Sequence, residues 1–360
     1  IPEISYGHPL DGRPAALAYR DLERTAQRLG RDGAAWRGLL GPLVARMDAV
    51  TDFTGSTLLR LPPHPVAALA YGLRALDQGT RGWDRRFRED AAPALLTGVA
   101  AHANVPLPSL GGAGAGLLLA AHGHAAGWGL PIGGSQRIAD ALADDLRAHG
   151  GELVTGVDVR TAEDLEPSTV TLLDTSLEHV LRFGGHALPA RYRRALRRQR
   201  RGAGVAKLDL ALSAPVPWAD PALATVPTVH LGDTRAAIAA SERAVAAGRM
   251  SEEPYVLLVQ PTVVDPSRAP EGRHIVWAYL HVPNGSTLDP SEVIVRRIEG
   301  FAPGFRDTVL AAAPRSAVDL ERENPNDLGG DISGGAATMW QLLRRPVVSP
   351  EPWRTPLAGV

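Results

Sequence analysis

The sequence predicts a mixed α/β chain of two regions, and three observations carry that expectation. Between about Asp21 and Thr97, apolar residues recur at helical spacing. A tidy helix-then-strand unit begins at Gly133. Beyond it, Val205 to Ser213, Tyr255 to Val264 and His274 to Val282 are rich in β-formers and bounded by Pro or Gly, as strands are. A chain of 360 residues also matches a prior of about two domains of roughly 150 residues each.

Taken in order, Asp32 is placed to cap a helix whose apolar positions are Leu39, Leu40, Leu43, Val44, Met47 and Val50. Pro62, Pro63 and Pro65 break the chain before a second helical run with Val66, Leu69, Leu73 and Leu76, and a third covers Phe87 to Val99. Together these predict a helical layer with a wide apolar face. The run Gly111 to Gly116 has the look of a phosphate cradle. Its spacing is not G-x-G-x-x-G, no β-branched strand precedes it, and no acidic ribose partner follows about 20 residues on. Close helix packing by small residues is therefore expected there. His122 and His124 lack a nearby carboxylate or third histidine, so they read as structural and no metal site is expected.

Gly133-Gly134-Ser135 predicts a tight turn and an N-cap, with Ile138, Leu142 and Leu146 forming one stripe of the helix that follows. Gly150-Gly151 closes that helix, and Leu153 to Val159 alternates as a half-buried strand should. A further strand is expected over Val170 to Asp174. Helices are expected over Pro189 to Arg201 and Thr234 to Ala247, and another starts at Asp289-Pro290-Ser291-Glu292.

Charge and composition remove several classes of function. With 38 basic and 39 acidic residues there is no global field to attract nucleic acid, and no nucleic-acid motif is present. The absence of cysteine excludes disulfides, thiolate zinc sites, iron–sulfur clusters and cysteine nucleophiles. The longest apolar stretches, such as Leu117 to Ala121, fall far short of the ~20 residues of a membrane span. Asp331-Ile332-Ser333-Gly334-Gly335 lacks the first glycine of a nucleophile elbow. Lys207, the sole lysine, has Asp209 on the same strand face and reads as half of an ion pair. Seven arginines between Arg191 and Arg201 surround Tyr192 and Leu196. A solvated helix face is the plain reading, and peripheral contact with an anionic membrane or another acidic partner is the sharper one.

The most distinctive segment runs from Asn324-Pro325-Asn326 through Gly329-Gly330-Asp331-Ile332-Ser333-Gly334-Gly335, with Gln341 and Arg345-Pro346 downstream. Its four glycines allow backbone to approach a flat ligand, or simply to make a long turn. This segment resembles the late part of the phytoene dehydrogenase-like FAD-dependent oxidoreductases, relatives of carotenoid desaturases and amine oxidases. Pro2-Glu3-Ile4-Ser5-Tyr6, Gly123-His124 with Gly127-Trp128, Gly133-Gly134-Ser135, Leu172-Leu173-Asp174, Pro215-Val216-Pro217-Trp218, His281-Val282-Pro283-Asn284-Gly285-Ser286 and Phe301-Ala302-Pro303-Gly304-Phe305 follow in the order that family shows.

The resemblance implies a remnant of a glutathione-reductase-type FAD domain, assigned to residues 1–12, 131–182 and 345–360. A mixed-sheet substrate domain with helices is then assigned to 13–130 and 183–344. It places Gly133, Gly134, Val159, Gly329 and Gly330 toward FAD and Gln341 and Arg345 toward a hydrophobic small-molecule substrate, and it assigns no catalytic side chain. The implied reaction is hydride transfer from that substrate to FAD, in a cytoplasmic protein with peripheral membrane contact. The sequence contains neither the opening G-x-G-x-x-G segment nor the closing glycine-rich segment of that family, so it is expected to correspond to the middle of such an enzyme and not to hold FAD alone. A non-catalytic binding protein retaining only the substrate domain is the alternative. An apolar cleft is expected between the sheet and the helices before Thr97, opening toward Gly329 to Gly335.

Overall fold

One seven-stranded sheet organises the chain, whose computed structural model describes residues 1–360. The strands are β1 (Ile4–Leu10), β2 (Arg13–Tyr19), β3 (Gly204–Leu212), β4 (Thr228–Leu231), β5 (Val256–Val259), β6 (His274–Val282) and β7 (Val309–Arg315), in spatial order β2-β1-β4-β5-β6-β3-β7. All neighbours are antiparallel except β1 and β4, which run parallel with Gly7 opposite Val229. The sheet thus joins the first 20 residues to segments 200 or more positions away. The strand β1 lies in this larger sheet, so grouping residues 1–12 with 131–182 is not the arrangement the strands make.

Strict alternation sorts the sheet into two unlike faces. On one, Leu208 and Leu210 of β3, Val229 and Leu231 of β4, Val256 and Leu258 of β5, and Val276, Ala278 and Leu280 of β6 form a sealed core. It closes against Ile294, Val295 and Ile298 of α11 (Ser291–Glu299) and Phe305 of α12 (Phe305–Thr308). On the other face, helices cover β2, β1, β4 and β5 and reach β6 only through α10 (Arg235–Ala246), near His281. The others come from the first third of the chain: α1 (Leu22–Arg28), α2 (Gly33–Val44), α3 (Met47–Thr54), α4 (Pro65–Gly79), α5 (Ala91–Ala100) and α6 (Leu110–Ala125). Trp36, Leu39, Leu40, Leu95, Val99 and Leu117 fill the space between these helices and the sheet. That packing leaves no apolar cleft where one was expected.

Small residues set the helix spacing, as the glycine run predicts. A Cβ at Gly116 of α6 would lie 2.8 Å from Ala100 Cβ on α5, and Tyr71 Oη of α4 donates to Gly114 O at 2.7 Å. Because α4 packs through Ala67, Ala68 and Tyr71, its stripe Val66, Leu69, Leu73 and Leu76 faces solvent, contrary to the expected buried face. Asp32 stands before α2 without capping it. Its carboxylate instead accepts from Arg88 and Glu89 N–H groups at 2.8 and 2.9 Å, pinning the loop into α5. His124 is structural, taking Trp36 Nε1–H at 3.1 Å and lying 2.8 Å from Tyr19 O.

The region 131–182 departs furthest from expectation. The helix α7 (Gln136–Ala148) forms but buries no residue, and neither 153–159 nor 170–174 pairs into a strand. Ile138, Leu142, Leu153, Val154, Val157, Val170 and Leu172 are all exposed. Alternating β-formers make a strand only against a partner, and Thr171, whose N–H donates to Gly359 O, has the one such backbone bond in 170–174. After α8 (Leu177–Gly184), α9 (Ala190–Arg197) turns Tyr192 and Leu196 inward and leaves Arg191, Arg194 and Arg197 exposed. At the far edge, β7 is exposed along its length, and Pro314 and Arg315 end it. The helices α13 (Ala317–Glu323) and α14 (Met339–Leu343) flank the glycine segment. No helix is long and apolar enough to cross a membrane.

Replacing Gly116 by Ala tests the close packing. The added methyl meets Ala100 Cβ and backbone, so a loss of about 1–3 kcal/mol and a lower midpoint in thermal denaturation are expected.

Candidate functional site

The glycine segment is held by its own chain. Asp331 is fully buried; its Oδ2 accepts from Gly202 N at 2.6 Å and its Oδ1 from Ser333 N at 3.0 Å. Gly329 and Gly330 take positive φ values of 65° and 78°, and the space a side chain would need is filled by Asn284 and Ala317. Gln341 is buried, with both amide protons given to the carbonyls of Arg200 and Ala336 at 3.0 and 2.9 Å and its Oε1 accepting from Arg200 N. The side chain expected to contact substrate therefore braces backbone.

Two clefts open beside this segment. One, of about 540 Å³, is lined mainly by polar groups including Asp174, Gln199, Asn326, Ser333, Gln341 and Arg345. Arg345 is exposed at its wall, which is the one place where the two residues assigned to substrate meet. The other, of about 380 Å³, lies between Asn104, Arg201, Gly202, Glu242, Asn284 and Ala336. Val159, Gly133 and Gly134 reach neither. Gly133 N–H donates to Asp265 Oδ2 at 2.8 Å, and Gly134 lies against the Arg268 guanidinium.

Glu242 leads from the second cleft into a row of rings on the helix-covered face of the sheet. His281 of β6 places Nδ1 2.9 Å from both Glu242 carboxylate oxygens, and both residues are almost wholly buried. The row continues through Tyr255, 5.7 Å away between ring centres, to His230 at 6.0 Å, His102 at 5.0 Å and Trp128 at 5.7 Å. His102 and His230 meet through their Nε2 atoms at 2.9 Å. On the other side, Tyr279 lies 5.7 Å from His281 and stacks on Trp277. Where the helices end, this face opens. Trp277, Tyr279, Lys207 and Asp209 are all half-buried there. The expected ion pair is present, Lys207 Nζ lying 2.8 Å from Asp209, and Arg315 Nη1 adds a second bond to Asp209 at 2.9 Å.

Burial keeps most of these imidazoles neutral. Desolvation lowers the His8 pKa to about 4, outweighing the Asp233 carbonyl near its Nε2, and lowers His102 to about 3 and His230 well below its ordinary value. His124 is lowered to about 4 for the same reason. Tyr6 Oη, His8 Nδ1 and His230 Nδ1 are sealed from solvent without a partner. Sequence reading missed this cluster, because His8, His102, His230 and His281 stand far apart in the chain. The legible signal was the run Trp277, Tyr279, His281, three rings on one face of an alternating strand.

The residues present do not by themselves make a dinucleotide site. Gly133, Gly329 and Gly330, which the resemblance assigns to FAD, are engaged elsewhere: Gly133 N–H is spent on Asp265, and the freedom of Gly329 and Gly330 is used against Asn284 and Ala317. What the chain supplies is a polar wall, a buried carboxylate–imidazole pair and an aromatic sheet face.

No family model matches the chain. It is 26% identical to the rat pyridine nucleotide-disulfide oxidoreductase domain-containing protein 2, across 89% of this chain and 62% of that protein. The mouse protein of the same name is 32% identical across 31% of the chain and 21% of its own length, and a Streptomyces griseus phytoene dehydrogenase is 34% identical across 24% and 15%. The chain thus spans less than two thirds of the length of these curated relatives. A crystal structure of an oxidoreductase from Methanosarcina mazei aligns with 73% of the chain and 62% of its own, at 18% identity and a TM-score of 0.48.

The neutral histidines fix a direction for pH dependence. Their folded pKa values lie below the unfolded value of about 6.5, so below that pH the unfolded chain takes up protons that the folded chain refuses until about pH 4. Stability should therefore fall from pH 7 to pH 5 by up to roughly 2 kcal/mol per buried imidazole. Urea unfolding at both pH values checks this; equal stability at the two contradicts it.

Proposed function

We propose that this chain forms the substrate-binding part, and one wall of the cofactor part, of an FAD-dependent oxidoreductase of the phytoene dehydrogenase-like group acting on a hydrophobic small molecule. The oxidoreductase names of the rat, mouse and Streptomyces relatives support the general reaction class. The observation that carries the finer reading is the bare surface of 131–182. The helix α7 has an apolar stripe and buries none of it, and the chain after it exposes Leu153, Val157, Val170 and Leu172. Such a surface fits one side of a nucleotide-binding layer whose other side is a βαβ unit. Flavin, when bound, would supply the acceptance of hydride.

The residues of this chain then have definite tasks. Trp277 and Tyr279 offer a stacked aromatic ledge to an apolar substrate. Lys207, Asp209, Arg315 and Glu323 form a balanced ion-pair chain at the ledge's edge, so the face carries no net charge to repel such a substrate. Asp331 and Gln341 fix the glycine segment as a rigid wall.

Two outcomes are expected. After incubation with FAD and desalting, residues 1–360 retain less than about a tenth of stoichiometric flavin. Stoichiometric visible absorbance in the 360-residue chain would place the cofactor elsewhere. We also propose that the exposed arginines of α9 contact anionic membranes, each contributing about 1 kcal/mol. In liposome sedimentation, binding should rise with anionic lipid content and fall when Arg191, Arg194 and Arg197 are replaced by Gln; indifference to lipid charge contradicts it.

A further inference from the structure

We infer that the outward face of α4 is a self-association surface, on which a second copy of this chain lays its own α4 antiparallel across a two-fold axis near Gly72. Val66, Leu69, Leu73 and Leu76 follow at steps of three, four and three residues, the a and d positions of two successive heptads. Each is between 51% and 66% exposed, while the side of α4 that meets its own protein uses Ala67, Ala68 and Tyr71. The seam is free of charge. Arg74, the one basic residue of α4, turns its guanidinium back to the carbonyls of Gly38, Leu39 and Ala70 at 2.7 to 3.1 Å. A strip of that period fits another helix.

Gly72 says how closely that helix comes. It lies at the middle of the seam, its φ is not positive, and a Cβ there would meet no atom within 4 Å, so nothing in its own chain asks for glycine. Inside a helix glycine is weaker than alanine, and what its place favours is close approach by an outside backbone. With Ala70 it keeps both flanks of the seam low, which a lipid surface does not require and a second helix axis does. The area is adequate. The four side chains present on the order of 400 Å² of apolar surface, half of what each partner gives to a standard interface. The groove of about 710 Å³ where α4 begins extends the strip, walled by Val44, Met47, Pro63, Pro65 and Val66. In an antiparallel pair Val66 faces Leu76 and Leu69 faces Leu73 of the other copy, and the contact closes on itself as a dimer. The last turn of the second α4, with Asp77, then comes over the groove. Arg46 and Asp48 are the charged groups of that wall. Arg46 is exposed, with one long bond to Pro42 O, and is placed to meet the carbonyl end of the incoming helix.

The inference stands apart from the flavin reading, and the full chain tests it. In sedimentation velocity from about 1 to about 100 μM, a species of twice the chain's mass should grow in with concentration. Leu73→Glu should weaken dimerisation at least about tenfold. Gly72→Gln should do the same without lowering the thermal midpoint, because the monomer has space at that position. Leu142→Glu, at an equally exposed leucine of α7, should leave dimerisation unchanged. The chain has no cysteine, so orientation can be read by mild oxidation. A mixture of Val66→Cys and Leu76→Cys chains should cross-link, and neither variant alone should. A chain that stays monomeric, a dimer that Leu73→Glu leaves intact, or cross-linking of either cysteine variant alone overturns the inference. A monomer that binds neutral phosphatidylcholine vesicles and loses that binding in Leu73→Glu would make the strip lipid-facing, and overturns it as well.

Discussion

The parallel contact between β1 and β4 is the constraint on which the rest depends. It is the single parallel pairing in the sheet, and it sets residues 4–10 beside residues 228–231. Gly7 makes it possible: a side chain there would meet Leu17, Leu223 and Val226 at 3.0 to 3.2 Å. With that contact in place, the helices that follow β2 are laid over one half of one face. Tyr6 and His8 then fall beside His230, and the ring row becomes continuous.

That half coverage has an electrostatic result. Under the helices, desolvation strips charge from His8, His102 and His230; beyond them, on the same face, Lys207 and Arg315 pair with Asp209. The boundary between the two regimes runs along β6, from His281 through Tyr279 to Trp277. A single strand thus carries the sheet from a dry polar interior to a wet ledge within five residues, and Glu242 stands at the dry end with a cleft behind it.

Much of this was legible in the sequence where a pattern is self-sufficient. The run His274 to Val282 is a strand over the span expected, because alternation there agrees with β-propensity and with its two strand neighbours. Gly111 to Gly116 packs helices, as spacing alone indicated, and Lys207 pairs with Asp209. Patterns that need a partner did not transfer. Leu153 to Val159 and Val170 to Asp174 alternate well but have no ladder to join, and the α4 stripe lies outward because small residues let the opposite side pack closer. The resemblance drew attention to Gln341 for its type, whereas its amide is consumed by backbone. The histidine row was invisible because sheet topology, and not spacing, assembles it.

The outer strand β7 has a different bearing, on how the molecule behaves in company. A sheet edge is a template for another chain, and β7 is exposed along its length. Its residues are nonetheless poor bait: Ala311, Ala312 and Ala313 present little apolar surface, Pro314 has no N–H to lend, and Arg315 is tethered to Asp209 and Glu323. Strand addition at this edge would find five consecutive residues, Val309 to Ala313, before Pro314, fewer than the six or seven that seed a steric zipper. The fold therefore carries its own guard against fibril growth at the end of the sheet.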